Sequence, residues 1–79
     1  MPLTQLESGE TGIVTEIKGG PGLIRRLDAL GISPGMKIVK VSAMILHGPV
    51  IVRIKNTELA LGFGMANKIL VKKDGYYED

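Results

Sequence analysis

Residues 19–35, reading GGPGLIRRLDALGISPG, place one short helix between two glycine/proline hinges. Leu23, Leu27 and Leu30 fall at i, i+4 and i+7 on one side of a 3.6-residue helix, while Arg25, Arg26 and Asp28 take the other sides. The spacing predicts a helix over 23–30, with Gly31 as a left-handed cap residue. Ser33-Pro34-Gly35-Met36 then carries a type II turn signature, because proline presets φ at the second position and glycine supplies the positive φ of the third. Beyond that turn the chain reads as strand. The helix is therefore expected to plug a small β-barrel.

With 79 residues there is room for one small domain, which buries only about 60% of the surface of its unfolded chain. Residues 1–73 are expected to form it, with 74–79 as a polar, acidic tail that frays. Hydrophobic residues at 44% and charged ones at 23% set a folded chain as the expectation. The lack of cysteine excludes disulfides and thiolate metal sites and suits a reducing compartment. The first ten residues have neither a basic n-region nor an apolar h-region, and no window reaches about 18 uninterrupted apolar residues. A cytoplasmic protein with no direct membrane insertion is expected.

Short alternating segments surround the helix. Residues 3–6 suit a first strand. Residues 11–18 suit a second, with Ile13, Thr15 and Ile17 on one face and Val14, Glu16 and Lys18 on the other. Over 36–46, Val39, Val41, Ala43 and Ile45 share one phase and Lys40 and Ser42 the other, while Ile38, Met44 and Leu46 break the pattern. Either a bulge bends this strand or both faces are covered near its ends. His47-Gly48-Pro49 turns the chain into a strand starting at Val50, and a tight connection at Asn56-Thr57 leads to another over 58–61. The two glycines in residues 62–67 limit that segment to a single helical turn before a closing strand over 69–71. The fold class expected is mainly β: a small barrel of five to six short strands, with one inserted α-helix and a short helical turn before the last strand.

Reactive groups are sparse. His47 is the one histidine and has no carboxylate at a metal-ligand spacing, so it reads as a loop residue, and Met36, Met44 and Met65 read as core filler. Pro21 deletes an amide from the glycine loop, and Leu23 and Ile24 stand where a Walker A loop needs Lys and Ser/Thr, so phosphate binding is not expected. With no cysteine, a lone histidine and no carboxylate pair, neither catalytic nor metal residues are assigned, and no cofactor and no enzyme activity are expected. Ten basic residues against eight acidic give a net charge of +2, and the three aromatics form no stacking platform, which argues against nucleic acid. What remains is apolar surface. Strand alternation forces at least one of Met44, Ile45 and Leu46 outward unless a curved barrel covers them, and Phe63 lies in a glycine-flanked loop. These four residues are candidates for binding a partner or a second copy of the chain. Arg25 and Arg26 are candidates for an acidic contact, with a solvated helix face and an Arg25–Asp28 pair as the alternative.

The succession Leu6, Gly9, Gly12, Val14, Ile17, Gly19-Gly20, then Arg26-Leu27-Asp28-Ala29-Leu30-Gly31-Ile32-Ser33-Pro34-Gly35, resembles the FeoA family of ferrous iron transport protein A. Gly48-Pro49-Val50, Glu58-Leu59-Ala60-Leu61-Gly62 and Met65-Ala66-Asn67-Lys68-Ile69-Leu70-Val71 continue the likeness. The resemblance implies an SH3-like barrel in a cytosolic accessory of Fe²⁺ uptake that binds the cytosolic G domain of the membrane iron permease and modulates transport. A metal-responsive sensor or carrier that itself binds Fe²⁺ is the alternative. Phe63-Gly64 stands where family members carry a charged pair before the Met-Ala, which makes this loop more apolar.

Overall fold

The computed structural model describes residues 1–43 and 46–74. A 3₁₀ turn (Leu3–Gln5) precedes β1 (Thr11–Ile17), α1 (Pro21–Ala29), β2 (Lys37–Ala43), β3 (Val50–Ile54), β4 (Thr57–Leu61), α2 (Phe63–Ala66) and β5 (Ile69–Lys73). The strands form one antiparallel sheet in the order β4-β3-β2-β1-β5. The sheet curls into an SH3-like barrel. One helical turn, α2, carries the chain from the edge strand β4 to the opposite edge strand β5. The outer edge of β5 is covered by the start of the chain, where Met1 and Val71 exchange two backbone bonds of 2.7 and 2.9 Å and Pro2 bridges to Leu70. Unpaired strand groups are thereby withdrawn from solvent.

Two bulges bend the long strands and overturn simple alternation. The register shifts between Val14 and Glu16 in β1, so Gly12, Val14 and Ile17 face inward while Thr15 and Glu16 are both exposed. The expected grouping of Ile13, Thr15 and Ile17 fails because the extra residue switches the phase. A second shift between Lys40 and Ser42 resolves the irregular pattern of β2 as a bulge. Here the inward residues are Ile38 and Lys40, whereas Val39 and Val41 are half-buried. Lys40, expected on the polar face, lies 7% exposed and donates from Nζ to the carbonyls of Thr4 at 2.9 Å and Leu6 at 2.5 Å.

Those carbonyls belong to the segment expected as a first strand. It is a 3₁₀ turn, closed by Gln5 N–H to Pro2 O at 2.9 Å and Leu6 N–H to Leu3 O at 3.1 Å. The reason is burial: residues three apart point to opposite faces of a strand but eclipse in a 3₁₀ turn. That turn sends both Leu3 and Leu6 into the core.

The inserted helix ends as its sequence predicts. Gly31 has φ +89°, its N–H reaches Asp28 O at 2.9 Å, and Ile32 N–H reaches Leu27 O at 2.8 Å, the paired bonds of a Schellman cap. Ile32 and Leu27, the two residues such a cap brings together, are both fully buried. Gly35, with φ +94°, and Met36 N–H to Ser33 O at 3.1 Å complete the predicted turn. As a plug, however, α1 is narrower than its leucine spacing suggests. Leu27 alone is fully buried, Leu23 is half-buried, and Leu30 is 43% exposed because it is the cap residue and has left helical geometry.

Candidate docking surface

The chain leaves β2 and returns into β3 through a loop whose backbone is held in an unfavourable region. Leu46 and His47 are consecutive residues with φ +59° and +63°, the left-handed values that Asn-Gly supplies cheaply in tight hairpins. The Leu46 side chain gains nothing from within the fold, since it is 93% exposed. His47 turns back across the end of the sheet. Its ring stacks on Phe63 with centroids 4.3 Å apart and planes 21° from parallel. Register explains the meeting. Val50, which opens β3, pairs with Leu61, which closes β4, so the loop before β3 and the first residue of α2 emerge at the same end. Leu46, His47 and Phe63 thus share one lip of the barrel.

Among the predicted partner residues, Leu46 directly precedes the His47 that stacks on Phe63, which is half-buried at the start of α2. Met44 and Ile45 lie outside the described residues. Arg25 and Arg26 are exposed on α1. That helix leads into the start of β2, whereas the Leu46 loop leaves its end, so they do not join this lip. Among the described residues no ion pair joins Arg25 to Asp28. His47, read as an ordinary loop residue, is the neighbour that the sequence does not reveal for Phe63. The signal was two side chains directly before Gly48-Pro49, where the turn itself requires positive φ.

Chemistry beyond contact is limited in the described residues. They contain no group of three or more His, Asp or Glu side chains able to hold a metal ion. They also contain no helix long and apolar enough to cross a membrane. Ion pairs tie strand to strand around the outside, with Arg53–Glu58 at 2.6 Å, Lys73–Glu10 at 3.1 Å and Lys37–Asp74 at 3.5 Å. The Glu10 carboxylate sits below the usual range, first because it accepts the backbone N–H of Glu7 at 2.8 Å and second because Lys73 lies beside it.

A five-stranded SH3-like barrel with an apolar lip on a strained loop is the type of molecule these observations define. Comparison with known proteins places it further. The FeoA domain family matches residues 1–73, and the chain belongs to that family. It is 37% identical over 75 residues to the Methanocaldococcus jannaschii protein assigned as Fe(2+) transport protein A, covering 95% of this chain and 89% of the other. The crystal structure of an iron uptake regulatory protein, FeoA, superposes with a TM-score of 0.83 at 33% identity, over 92% of this chain and 95% of that one. The solution structure of FeoA from Chlorobium tepidum gives 0.87 at 28% identity, over 99% and 74% of the two chains. The fold is also that of the zinc complex of Stenotrophomonas maltophilia FeoA, described as a prokaryotic SH3 domain protein, with a TM-score of 0.78 at 24% identity over 91% and 89%.

Proposed function

We propose that this chain is a cytoplasmic accessory of ferrous iron uptake that docks on the cytosolic G domain of the membrane iron permease and modulates transport without chemistry of its own. Family membership and the M. jannaschii relative support the transport setting. The observation that carries the docking mode is Leu46, held 93% exposed on left-handed backbone beside the His47–Phe63 stack. An apolar side chain kept outside the fold at a backbone cost is suited to burial in a partner. Met44 and Ile45 precede it in sequence and are assigned to the same contact, while Arg25 and Arg26 offer a separate basic surface. The alternative, a carrier that binds Fe²⁺ itself, rests on less: His47 packs its ring on Phe63, and the described residues hold no ligand cluster.

Titration of the permease's isolated cytosolic domain, with and without nucleotide, tests this reading. Micromolar binding in at least one nucleotide state is expected. Burial of an exposed leucine contributes about 1.5–3 kcal/mol, so Leu46→Asp is expected to weaken binding at least tenfold. Because Leu46 touches little within the fold, the same variant should keep its unfolding free energy within about 0.5 kcal/mol of wild type. Absence of binding in both nucleotide states refutes the docking proposal, and stoichiometric Fe²⁺ retained by the monomer in equilibrium dialysis favours the carrier.

A further inference from the structure

Away from the lip, the outer face of the sheet holds a cavity of about 460 Å³, a size within the range of ligand-binding clefts. Its floor is Met36 and Val39, both half-buried, and its cationic side is Lys37, Arg53 and Lys55, all exposed. Strand register sets the spacing of these groups. Val39 on β2 pairs with Arg53 on β3, and the same register continued by two residues brings Lys37 toward Lys55. The three cations therefore crowd one end of an apolar floor, an arrangement that like charges facing each other make unfavourable until an anion lies between them. Neither Leu46 nor Phe63 lines this groove, so it is a different surface from the one proposed above.

The groove already accommodates one carboxylate. Asp74 lines it beside β1, where its N–H donates to Thr11 O at 2.9 Å and its Oδ2 lies 3.5 Å from Lys37 Nζ. Across the sheet, Arg53 gives one guanidinium nitrogen to Glu58 at 2.6 Å and keeps further donors. Lys55 has no side-chain hydrogen bond or ion pair among the described residues. Its φ of +55° falls at the first position of the two-residue turn between Ile54 and Thr57, a place suited to glycine. Three lining cations against one lining carboxylate leave net positive charge over an apolar floor. We propose that the groove docks an extended acidic segment of a partner protein, seating carboxylates two residues apart on Arg53 and Lys55 and an apolar side chain on Met36 and Val39. The match is one of pitch as well as charge. Side chains at i and i+2 of an extended segment point the same way about 6.6 Å apart, which is the separation of two such positions along β3 itself. A third side chain, at i+4, continues past Lys55 toward Met36, which precedes β2 where Lys55 follows β3. Each exposed ion pair is weak, so recognition needs both carboxylates and the apolar contact together. A basic segment meets repulsion from all three cations.

Amide-resolved NMR of the full chain, titrated with the peptide GEAEAFG, tests this docking, because the two carboxylates and the ring of that probe share one face when it is extended. The amides of Lys37, Val39, Arg53 and Lys55 are expected to shift with half-saturation below about 1 mM at low salt, while those of Leu46, His47 and Phe63 stay in place. Raising salt to about 0.5 M should weaken binding roughly fivefold or more, because the proposed contacts are exposed charges. Lys55→Glu should weaken it by about fivefold or more, and Asp74→Asn, which removes the resident carboxylate and frees Lys37, should tighten it about two- to fivefold. Core amides dispersed as in wild type confirm that both variants are folded. The control peptides GKAKAFG and GEAEAAG should each bind about fivefold more weakly or worse. Absence of shifts on this face up to about 5 mM probe overturns the proposal. So do shifts confined to the lip, which assign the peptide to the Leu46 surface. Binding that Lys55→Glu leaves unchanged, or that GKAKAFG matches, overturns the charge pairing, and full displacement by equimolar inorganic phosphate overturns the peptide as occupant in favour of a small anion.

Discussion

Replacing Lys40 by methionine tests how the start of the chain is fastened to the barrel. The lysine stem runs through the core, and its ammonium group is the donor to Thr4 O at 2.9 Å and Leu6 O at 2.5 Å. Methionine preserves most of the stem but donates nothing. A hydrogen bond from a charged donor contributes about 1.5–3 kcal/mol, and a buried carbonyl left unpaired costs about 1–3 kcal/mol. Relief of the buried ammonium's desolvation offsets part of this loss, because burying a charge is itself unfavourable. The balance is a destabilisation of about 3 kcal/mol, which for a domain of this size lowers Tm by roughly 12–24 °C. Urea unfolding of wild type, Lys40→Met and the control Lys72→Met measures it, since the Lys72 side chain is exposed and has no hydrogen bond or ion pair among the described residues. Hydrogen exchange should accelerate first at the amides of Leu6 and Val71, which hold the 3₁₀ turn and the edge of β5. If Lys40→Met lies within about 0.5 kcal/mol of the control, the two carbonyls find other partners and the fastening role is wrong.

Packing and charge give two further expected outcomes. A Cβ at Gly12 would lie 3.0 Å from Val71 Cβ and 3.1 Å from Leu6 Cδ1, so Gly12→Ala should cost about 1–3 kcal/mol by forcing β1 away from β5, and an unfolding free energy at the wild-type value would refute the close approach. The depressed Glu10 carboxylate stabilises the folded chain above its unfolded pKa, and that contribution is lost as pH falls through the still lower folded pKa. Glu10→Gln should therefore be less stable than wild type at neutral pH and converge with it in strong acid. A constant difference across the titration would contradict the assignment.

Legibility in the sequence tracked the range of the interactions involved. The Gly31 cap, the turn at Gly35, the single turn of α2 and the strand class of residues 50–61 are set by neighbours a few positions apart, and each is found close to its predicted place. The turn between β3 and β4 moved by one residue, to Lys55-Asn56, because Ile54 pairs with Thr57. Features decided by distant partners were not readable. Nothing near Lys40 announces that its ammonium group will meet carbonyls 34 and 36 positions away. The phase of β1 depends on a bulge whose partner strand is β5, and the 3₁₀ form of residues 3–5 depends on a core that both leucines must reach. Of the candidate surface, alternation required only that at least one of Met44, Ile45 and Leu46 point outward unless a curved barrel covered them, and the placing of Leu46 beside a His47 that stacks on Phe63 required the register of β3 against β4.

The positions of strained backbone separate scaffold from surface in this small barrel. Where the fold alone needs positive φ, at Gly9, Gly31 and Gly35, the residue is glycine and the conformation is cheap. At Leu46, His47 and Lys55 the same region is occupied by residues with side chains, at a cost glycine would avoid. His47 recovers some of that cost through its stack on Phe63. Leu46 and Lys55 recover none within the described fold, since one is an exposed apolar group and the other a cation without a partner there. These two side chains therefore occupy costly backbone with no compensating contact among the described residues. On that reasoning the exposed Leu46 belongs to the proposed docking surface, and Lys55, which lines the groove with Lys37 and Arg53, belongs to a separate cationic face of the same barrel.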